Sequence, residues 1–362
     1  MVQPERASSP LQGVHADLGA EWVDEGGRSV PRRYGDVARE HAALVEGRAV
    51  AARSWVDLIE LRGRDRHRFL HGLVTCDVQG LAVGSSAYGF VTSVQGRVLA
   101  ELVVLATEES LLVELPAGAG APMAEHLRKY VIADDVTLAP RPDLSALTLF
   151  GAEAELELGA GGLARGGWTL QSATLFEIPV LADRRPVWGA SALTLWVGAQ
   201  DAAAFFQRLL EAGRCVGLMP IGLAAVDTRR VELGIPRFGR DFGSDHFPQE
   251  TGLDGTGVSY TKGCYLGQEV IARIHYRGQV NRLPRGLVLD AGGGEEALPA
   301  DGTELLHEGR PLGALSSAVI SPALGGRIAL AIVHRRGSEP GTRVDLVGGG
   351  AAQVVTLPFV PT

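Results

Sequence analysis

Glycine and proline divide this chain into short segments. Of its 362 residues, 48 are glycine and 19 are proline, and both residue types favour turns over the interior of long helices. The segments between them are mostly β-rich, as at Trp55–Leu61, Val98–Leu105 and Leu144–Phe150, and fewer have helical spacing, as at Ala121–Tyr130. This alternation predicts an α+β fold dominated by antiparallel sheets with flanking helices.

The order of these segments predicts a division into domains. The strand-and-helix pair at Trp55–Leu73 is echoed by a similar pair at residues 193–210, which suggests two related α+β units, although short pairs of this kind often resemble one another. After residue 283 the chain turns into short strand-like runs typical of a β-barrel or sandwich. We therefore predict a partly ordered extension at residues 1–47, α+β units at 48–142 and 143–282, and a C-terminal β-barrel at 283–362.

Composition and charge exclude several classes of protein. A formal net charge of −8 and a pI of about 5.6 argue against nucleic acid as the primary partner. The N-terminus lacks the apolar core of a secretory signal, and no uncharged apolar run reaches 18 residues. We expect a soluble cytoplasmic protein with no membrane partner.

Three cysteines, Cys76, Cys215 and Cys264, are too few and too far apart for a disulfide framework or a four-cysteine metal site. We therefore expect reduced thiols and no permanently bound metal. Cys76 and Cys215 lie in apolar stretches and are predicted to be core residues. His246 lies in a long loop and is predicted to be solvated rather than part of a site.

The stretch from Thr261 to Arg282, TKGCYLGQEVIARIHYRGQVNR, holds the most unusual chemistry in the chain. The chain has 34 lysine and arginine residues in total, and only Lys129 and Lys262 are lysines. A compact ammonium at position 262 suggests a specific requirement there, because lysine and arginine are not equivalent at a close-packed polar site. The alternative is an ordinary solvated loop charge.

A short helix is predicted at Glu269–Tyr276, with Val270, Ile271 and Ile274 on one side. Cys264 would then lie just before a helix N-terminus and two residues from Lys262, both of which favour a reactive thiolate. Cys264 could equally be a small buried residue, since free cysteine is commonly buried.

These residues resemble a known family. The segment KGCYLGQE at 262–269, followed by YRG at 276–278, is similar to the signature of the YgfZ folate-binding proteins, which belong to the glycine-cleavage T-protein (aminomethyltransferase) superfamily. The segments FLHGLVTCDVQGLAVG at 69–84, VDTRRVELGIPRFGRD at 226–241 and SPALGGRIALAIV at 321–333 extend the resemblance over most of the chain.

The resemblance implies a three-part, ring-like architecture around a central opening that binds tetrahydrofolate, and a role in iron-sulfur cluster assembly or repair with iron-sulfur client or assembly proteins as partners. Within it, Lys262 and Cys264 are the candidate chemical residues. Glu250, in the segment PQETGL, is the candidate ligand of the pterin ring, because a carboxylate can accept two hydrogen bonds from adjacent N–H groups. The remaining candidate folate-binding residues are Tyr265, Gln268, Arg273, Tyr276, Arg277 and Arg282. The two tyrosines would stack on folate rings, or else pack in the core, and the three arginines would bind the folate tail.

One departure from the superfamily pattern keeps the function open. The aminomethyltransferases carry two aspartates where this chain has Ala100 and Glu101. An alanine cannot do acid-base work, and neighbouring strand residues point to opposite faces. Whether the protein is an enzyme is therefore left open, and two alternatives to the iron-sulfur role are kept: a folate-dependent aminomethyltransferase and a non-catalytic folate-binding scaffold.

Overall fold

The computed structural model describes residues 9–151, 163, 167–290 and 298–361. The described residues divide into two compact units. The first unit comprises Met1–Gly89 and Glu101–Val226, and the second comprises Phe90–Ala100 and Asp227–Thr362.

Short helices and strands begin close to the N-terminal end of the described chain. They are α1 (Gln12–Asp17), β1 (Glu21–Glu25), β2 (Arg28–Arg33) and α2 (Val37–Val45). Strands β1 and β2 form an antiparallel hairpin. Val30 of β2 is fully buried in one core cluster with Ala43 and Leu44 of α2. The described part of this segment therefore contributes buried side chains to a core cluster.

A five-stranded sheet follows along the chain. The next elements are β3 (Ala49–Ala52), β4 (Val56–Arg62), α3 (Arg66–His71), β5 (Ser86–Thr92), β6 (Val98–Ala106), β7 (Ser110–Pro116), α4 (Gly120–Arg128) and β8 (Thr137–Pro140). The sheet has the order β5-β6-β7-β4-β8, and β4 pairs antiparallel with both β7 and β8. Helix α4 lies against β4, β7 and β8.

A six-stranded sheet completes the first unit. Its further elements are β9 (Leu144–Phe150), β10 (Thr169–Leu175), β11 (Ile178–Val187), β12 (Ala190–Gly198), α5 (Ala202–Ala212) and β13 (Met219–Pro220). The order is β10-β11-β12-β9-β3-β13, with only the short β3–β13 pair parallel among the pairs described. Phe205, Phe206 and Leu209 of α5 are fully buried against this sheet, so α5 uses the apolar face that its helical spacing predicts.

Buried ion pairs join the two sheets inside the first unit. Arg53, which follows β3, donates to the Glu114 carboxylate on β7 at 2.6 and 3.2 Å. Arg185 on β11 contacts the same carboxylate and also donates to Asp183 at 2.6 Å. Burial alone would raise the pKa of Glu114, but Arg185 and Arg53 outweigh it and the pKa is lowered. For Asp183 burial dominates, and its pKa is raised.

The second unit contains short helices and a β-barrel. The elements are α6 (Leu223–Glu232), which begins in the first unit, α7 (Pro248–Thr251), α8 (Asp254–Gly257), α9 (Gln268–Arg277), β14 (Arg282–Leu289), β15 (Glu304–His307), β16 (Arg310–Ser321), β17 (Gly326–His334), β18 (Arg343–Leu346) and β19 (Ala351–Val355). The six strands close in the order β14-β17-β16-β15-β18-β19 around an aliphatic core. Arg230 of α6 is completely buried and donates to Asp227, Asp241 and Ser317.

The predicted α+β class, the antiparallel sheets and the C-terminal barrel are confirmed by this architecture. The predicted boundaries at residues 47, 142 and 282 stay a prediction. Within the described ranges, none of the helices is both long and apolar enough to cross a membrane.

Candidate functional site

The segment between Thr261 and Arg282 is held in place by a glycine. Gly267 precedes α9 with a φ of 85°, in the left-handed region. A Cβ at this position would lie 2.4 Å from the Ser93 carbonyl oxygen, so a side chain does not fit. The Thr92 hydroxyl donates to the Leu266 carbonyl at 2.7 Å. The close approach therefore anchors the start of α9 on the turn between β5 and β6.

Cys264 is exposed and lies four residues before the first residue of α9. The Lys262 ammonium lies 4.9 Å from the centre of the Tyr265 ring, at cation–π distance. Tyr265 itself is buried, and this burial raises the pKa of its phenol to about 12. The structure thus places Lys262 and the exposed Cys264 in one loop with the buried Tyr265.

The other two cysteines differ from one another. Cys76 is buried as predicted, and it packs so tightly on Gly89 that a Cβ there would lie 2.7 Å from its sulfur. Cys215 is exposed, so its prediction as a core residue is wrong. It lies in the 3-10 turn Gly213–Val216 at the end of α5, where the apolar periodicity of the helix no longer determines which side chains are buried.

The predicted helix forms, and its polar side chains occupy the outer face. Ile271 is fully buried, while Val270 and Ile274 are half-buried. Arg273 and Arg277 are exposed, and Arg273 donates to Glu269 one turn earlier at 2.8 Å. Tyr276 is also exposed and meets His275, which stacks on Tyr260 at 3.6 Å between ring centres. Gln268 is half-buried at the first position of the helix.

Glu250 lies in a clamp formed by Arg282 and the backbone. Its carboxylate accepts from Arg282 Nε at 3.0 Å, from Arg282 Nη2 at 2.8 Å and from the Phe247 amide at 3.0 Å. Glu250 is only 4% exposed. Burial alone would lower the pKa of Arg282, but its hydrogen bonds to Glu250 and Asp245 outweigh this effect and raise the pKa. The Arg282 guanidinium is thus committed to two carboxylates.

Arg97 is a part of this cluster that sequence reasoning missed. Its guanidinium lies 3.7 Å from the centre of the Phe247 ring and 3.7 Å from the Glu250 carboxylate. It also donates to the Asp245 carbonyl at 2.6 Å. The neighbouring His246 contacts Asp245 at 2.8 Å, but burial lowers the pKa of His246, so the imidazole is neutral at pH 7. No signal in the sequence relates Arg97 to residues some 150 positions later.

Strand β6, whose residues from Glu101 onward belong to the first unit, carries a second polar pair. Its first four residues alternate between buried and half-buried, and Ala100 is 1% exposed whereas Glu101 is half-buried. Tyr88 on β5 donates its phenolic hydrogen to Glu101 at 3.0 Å. Burial, with Glu101 nearby, raises the pKa of Tyr88 well above its ordinary value. The carboxylate of this strand is thus on its more open face.

In the described ranges there is no group of three or more His, Cys, Asp or Glu side chains arranged to hold a metal ion.

Two domain families match this chain. The GCVT N-terminal domain matches residues 11–261, and the glycine cleavage T-protein C-terminal barrel domain matches residues 282–361. The aminomethyltransferase of Symbiobacterium thermophilum is 30% identical over 97% of this chain and 96% of its own length. The aminomethyltransferase of Cutibacterium acnes is 30% identical over 97% of both chains.

The fold agrees with these matches. The crystal structure of glycine cleavage system aminomethyltransferase T from Bartonella henselae superposes with a TM-score of 0.84 and 23% identity, covering 97% of each chain. The two proteins thus share one fold, an α+β architecture that ends in a closed six-stranded barrel. This chain belongs to the glycine cleavage T-protein family. The predicted superfamily is confirmed, whereas these matches do not confirm the YgfZ branch.

Proposed function

We propose that this protein binds tetrahydrofolate and transfers a one-carbon unit in the manner of an aminomethyltransferase. Relatives with that name match almost the whole chain, and among the residues of this chain the hydrogen-bonded pair Tyr88–Glu101 carries the proposal. This replaces the iron-sulfur role as the leading interpretation.

The alanine at position 100 is not an argument against this reaction. Ala100 is on the buried face of β6, where a carboxylate without a hydrogen-bond partner would be costly. The adjacent Glu101 is half-buried, so the strand keeps an acid on the less buried face of its first residues.

The pair has suitable chemistry for orienting a ligand and moving a proton. Tetrahydrofolate, when bound, supplies the nitrogen that accepts the one-carbon unit. The raised pKa of Tyr88 keeps its phenol protonated at neutral pH, so it donates to Glu101 Oε2 and fixes the orientation of the carboxylate. The Glu101 carboxylate is then the group assigned to accept a ligand N–H or to hold a proton.

The fit of Glu250 to a pterin is more limited. A carboxylate has about four lone-pair positions, and three at Glu250 are used by Arg282 and the Phe247 amide. One position is left, so Glu250 can accept one ligand hydrogen bond as it stands. A two-bond contact with a pterin requires Arg282 to move. This makes Arg282 a positioning residue in the proposal, rather than a ligand of the folate tail.

The test is formation of methylenetetrahydrofolate from an aminomethyl donor protein by the full chain. We expect Glu101→Gln to lower the rate by about 10²–10⁴-fold, the range for loss of a positioned acid-base group. The exposed Glu339 provides a matched control, Glu339→Gln, which should retain the wild-type rate. A folded wild-type protein that binds tetrahydrofolate but forms no product would refute the transferase.

A second candidate function, iron-sulfur cluster assembly or repair, is supported by the exposed Cys264 in its KGCYLGQE loop. In this case Cys264 and Lys262 would handle the cluster or a client protein, and folate would bind elsewhere in the chain.

The two functions separate in cells that lack the endogenous relative. The iron-sulfur role predicts that Cys264→Ala lowers cluster-dependent enzyme activity while tetrahydrofolate affinity is unchanged, and that Lys262→Arg has a similar effect. Normal cluster-enzyme activity in both variants would exclude this role. If both are silent and Glu250→Ala abolishes folate binding together with the phenotype, a non-catalytic folate-binding scaffold is favoured.

A further inference from the structure

The Glu250 carboxylate of the second unit lies beside two arginines that contact it in different ways. Arg282 donates to both oxygens, from Nε to Oε1 at 3.0 Å and from Nη2 to Oε2 at 2.8 Å. Arg97 Nη1 lies 3.7 Å from Oε2, which is close enough for an ion pair but beyond the roughly 3.2 Å limit of an N–H···O hydrogen bond. Arg97 therefore adds positive charge next to the carboxylate without occupying one of its lone pairs.

Arg97 is held in this position by groups other than Glu250. Its Nη1 donates to the Asp245 carbonyl at 2.6 Å, and its guanidinium lies 3.7 Å from the centre of the Phe247 ring. Arg282 contacts the same Asp245 carbonyl, but neither of the two contacts of Arg97 passes through Arg282. The guanidinium of Arg97 can thus stay beside Glu250 when Arg282 moves.

The lone pairs of Glu250 determine which ligand groups it can bind. Each carboxylate oxygen has about two lone-pair positions. The Phe247 amide, at 3.0 Å, and Arg282 fill both positions at Oε2, whereas Arg282 fills one at Oε1. A planar group with two adjacent N–H donors, such as a pterin, uses one position on each oxygen. This two-bond contact is therefore open only after Arg282 has withdrawn from Oε2.

Withdrawal of Arg282 removes a cation from a carboxylate that water hardly reaches. The Glu250 side chain is 5% exposed, and a buried carboxylate that loses its cation is costly or takes up a proton. Two neighbouring groups do not replace the cation: Asp245 is acidic, and burial lowers the pKa of His246, so its imidazole is neutral at pH 7. Among the contacts described for Glu250, Arg97 is the cation that remains.

We propose that Arg97 is a positioning residue for ligand binding, which keeps Glu250 ionised while Arg282 moves aside so that both carboxylate oxygens accept N–H groups of the ligand. The inference rests on the proposed function, in which the ligand is tetrahydrofolate, and it assigns opposite tasks to the two arginines. Arg282 occupies the carboxylate in the free protein, and Arg97 compensates its charge in the complex. Arg97 acts through Glu250 and makes no contact with the ligand in this scheme.

The test is a calorimetric titration of tetrahydrofolate into the full chain under anaerobic conditions. Arg97→Gln removes the charge and should weaken binding by roughly tenfold at pH 7, a value reduced to allow for the 37% exposure of the Arg97 side chain. Arg97→Lys keeps the charge and should bind within about threefold of wild type. The exposed Arg310 gives the matched control, Arg310→Gln, which should bind like wild type.

Two readouts separate this role from a purely structural one. Arg282 still pairs with Glu250 in the free protein, so Arg97→Gln should unfold in urea close to the wild-type midpoint although its affinity is lower. The pH profile of the affinity should also change. Without the charge of Arg97, Glu250 takes up a proton more readily in the complex, so binding by Arg97→Gln should weaken further from about pH 8.5 to about pH 7, while wild type stays level. His246 is neutral over this range because its pKa is lowered.

The outcomes distinguish this inference from the proposed function. Equal affinity of wild type and Arg97→Gln, or a weaker Arg97→Gln with a level pH profile, would overturn the role of Arg97 and leave the proposed function intact. An unfolded Arg97→Gln, or an equal loss of affinity in Arg97→Lys, would show that Arg97 is structural and would also overturn the role. Binding of tetrahydrofolate without product formation would refute the transferase but not this role. A wild-type protein that binds no tetrahydrofolate would refute both.

Discussion

The contact between Arg282 and Glu250 offers a direct test of how the second unit is stabilised. Arg282 donates two hydrogen bonds to Glu250, at 3.0 and 2.8 Å, and the carboxylate side chain is 5% exposed. We expect Glu250→Gln and Arg282→Lys each to lower the free energy of unfolding, because removing one partner of a buried pair leaves the other poorly compensated.

The magnitude follows from the number of bonds and from solvent access. Hydrogen bonds to charged groups contribute about 1.5–3 kcal/mol each, so two of them give about 3–6 kcal/mol before screening. The Arg282 side chain is 29% exposed, and water weakens an ion pair that it can reach. We therefore expect a coupling free energy of about 2 kcal/mol, which is roughly a 30-fold change in the folding equilibrium.

The assay is a double-mutant cycle with urea unfolding of the full chain. All five tryptophans, at positions 22, 55, 168, 188 and 196, lie in the first unit, so tryptophan fluorescence does not report directly on the second. Far-UV circular dichroism reports on both units. An unfolding transition that appears in circular dichroism but not in tryptophan fluorescence is therefore assigned to the second unit. The control cycle uses Arg273 and Glu269, which have the same 2.8 Å distance but are 68% and 85% exposed.

The exposed control pair should couple by about 0.3–0.5 kcal/mol. If the coupling of Arg282 with Glu250 is no larger than that of the control pair, the burial argument is refuted, and with it the assignment of Arg282 as the residue that holds Glu250.

Three further perturbations test other parts of the structure. Burial lowers the pKa of His15 from 6.5 to about 4, so folding favours the neutral imidazole. The contribution of His15 to the free energy of unfolding is therefore fully present above pH 6.5. It falls by about 3 kcal/mol between pH 6.5 and pH 4. This loss, measured by urea unfolding at each pH, should be absent in His15→Gln, and an equal loss there would contradict the assignment. Gly267→Ala should cost about 1–3 kcal/mol in thermal unfolding because of its positive φ and the 2.4 Å approach to Ser93; Gly255→Ala, with open space around it, is the control, and equal effects would refute the steric argument. Glu114→Gln should destabilise the first unit by about 3–5 kcal/mol because two buried arginines lose their carboxylate; a loss below about 1 kcal/mol in tryptophan-monitored unfolding would show that this network contributes little.

The sequence predicted elements well where apolar periodicity was strong. Helix α9 follows from Val270, Ile271 and Ile274, and α5 from Phe205, Phe206 and Leu209. The hairpin of β10 and β11 was missed because Asp183 and Arg185 are charged residues inside a strand, where the local pattern predicts exposure. Arg185 pairs with Asp183 nearby and with Glu114, which is distant in sequence and is itself paired with Arg53, so the burial of these charges depends on contacts that the local pattern does not show.

The candidate site shows the same limit. The KGCYLGQE loop and its glycine could be predicted locally, since a turn before a helix needs left-handed backbone at Gly267. The partners of Glu250 could not, because Arg282 is 32 residues away and Arg97 is more distant still. Similarly, the sequence predicted that Ala100 and Glu101 lie on opposite faces, but only the fold shows which face is buried.

The 11 residues from Phe90 to Ala100 belong to the second unit although the chain on both sides belongs to the first. A fragment that begins at Asp227 therefore lacks a piece of its own unit, including Arg97, and a fragment that ends at Val226 carries that piece without the rest. No single cut of the polypeptide separates the two units. During synthesis, the turn between β5 and β6 must wait for more than 130 further residues before Glu250 and Gly267 exist to contact it.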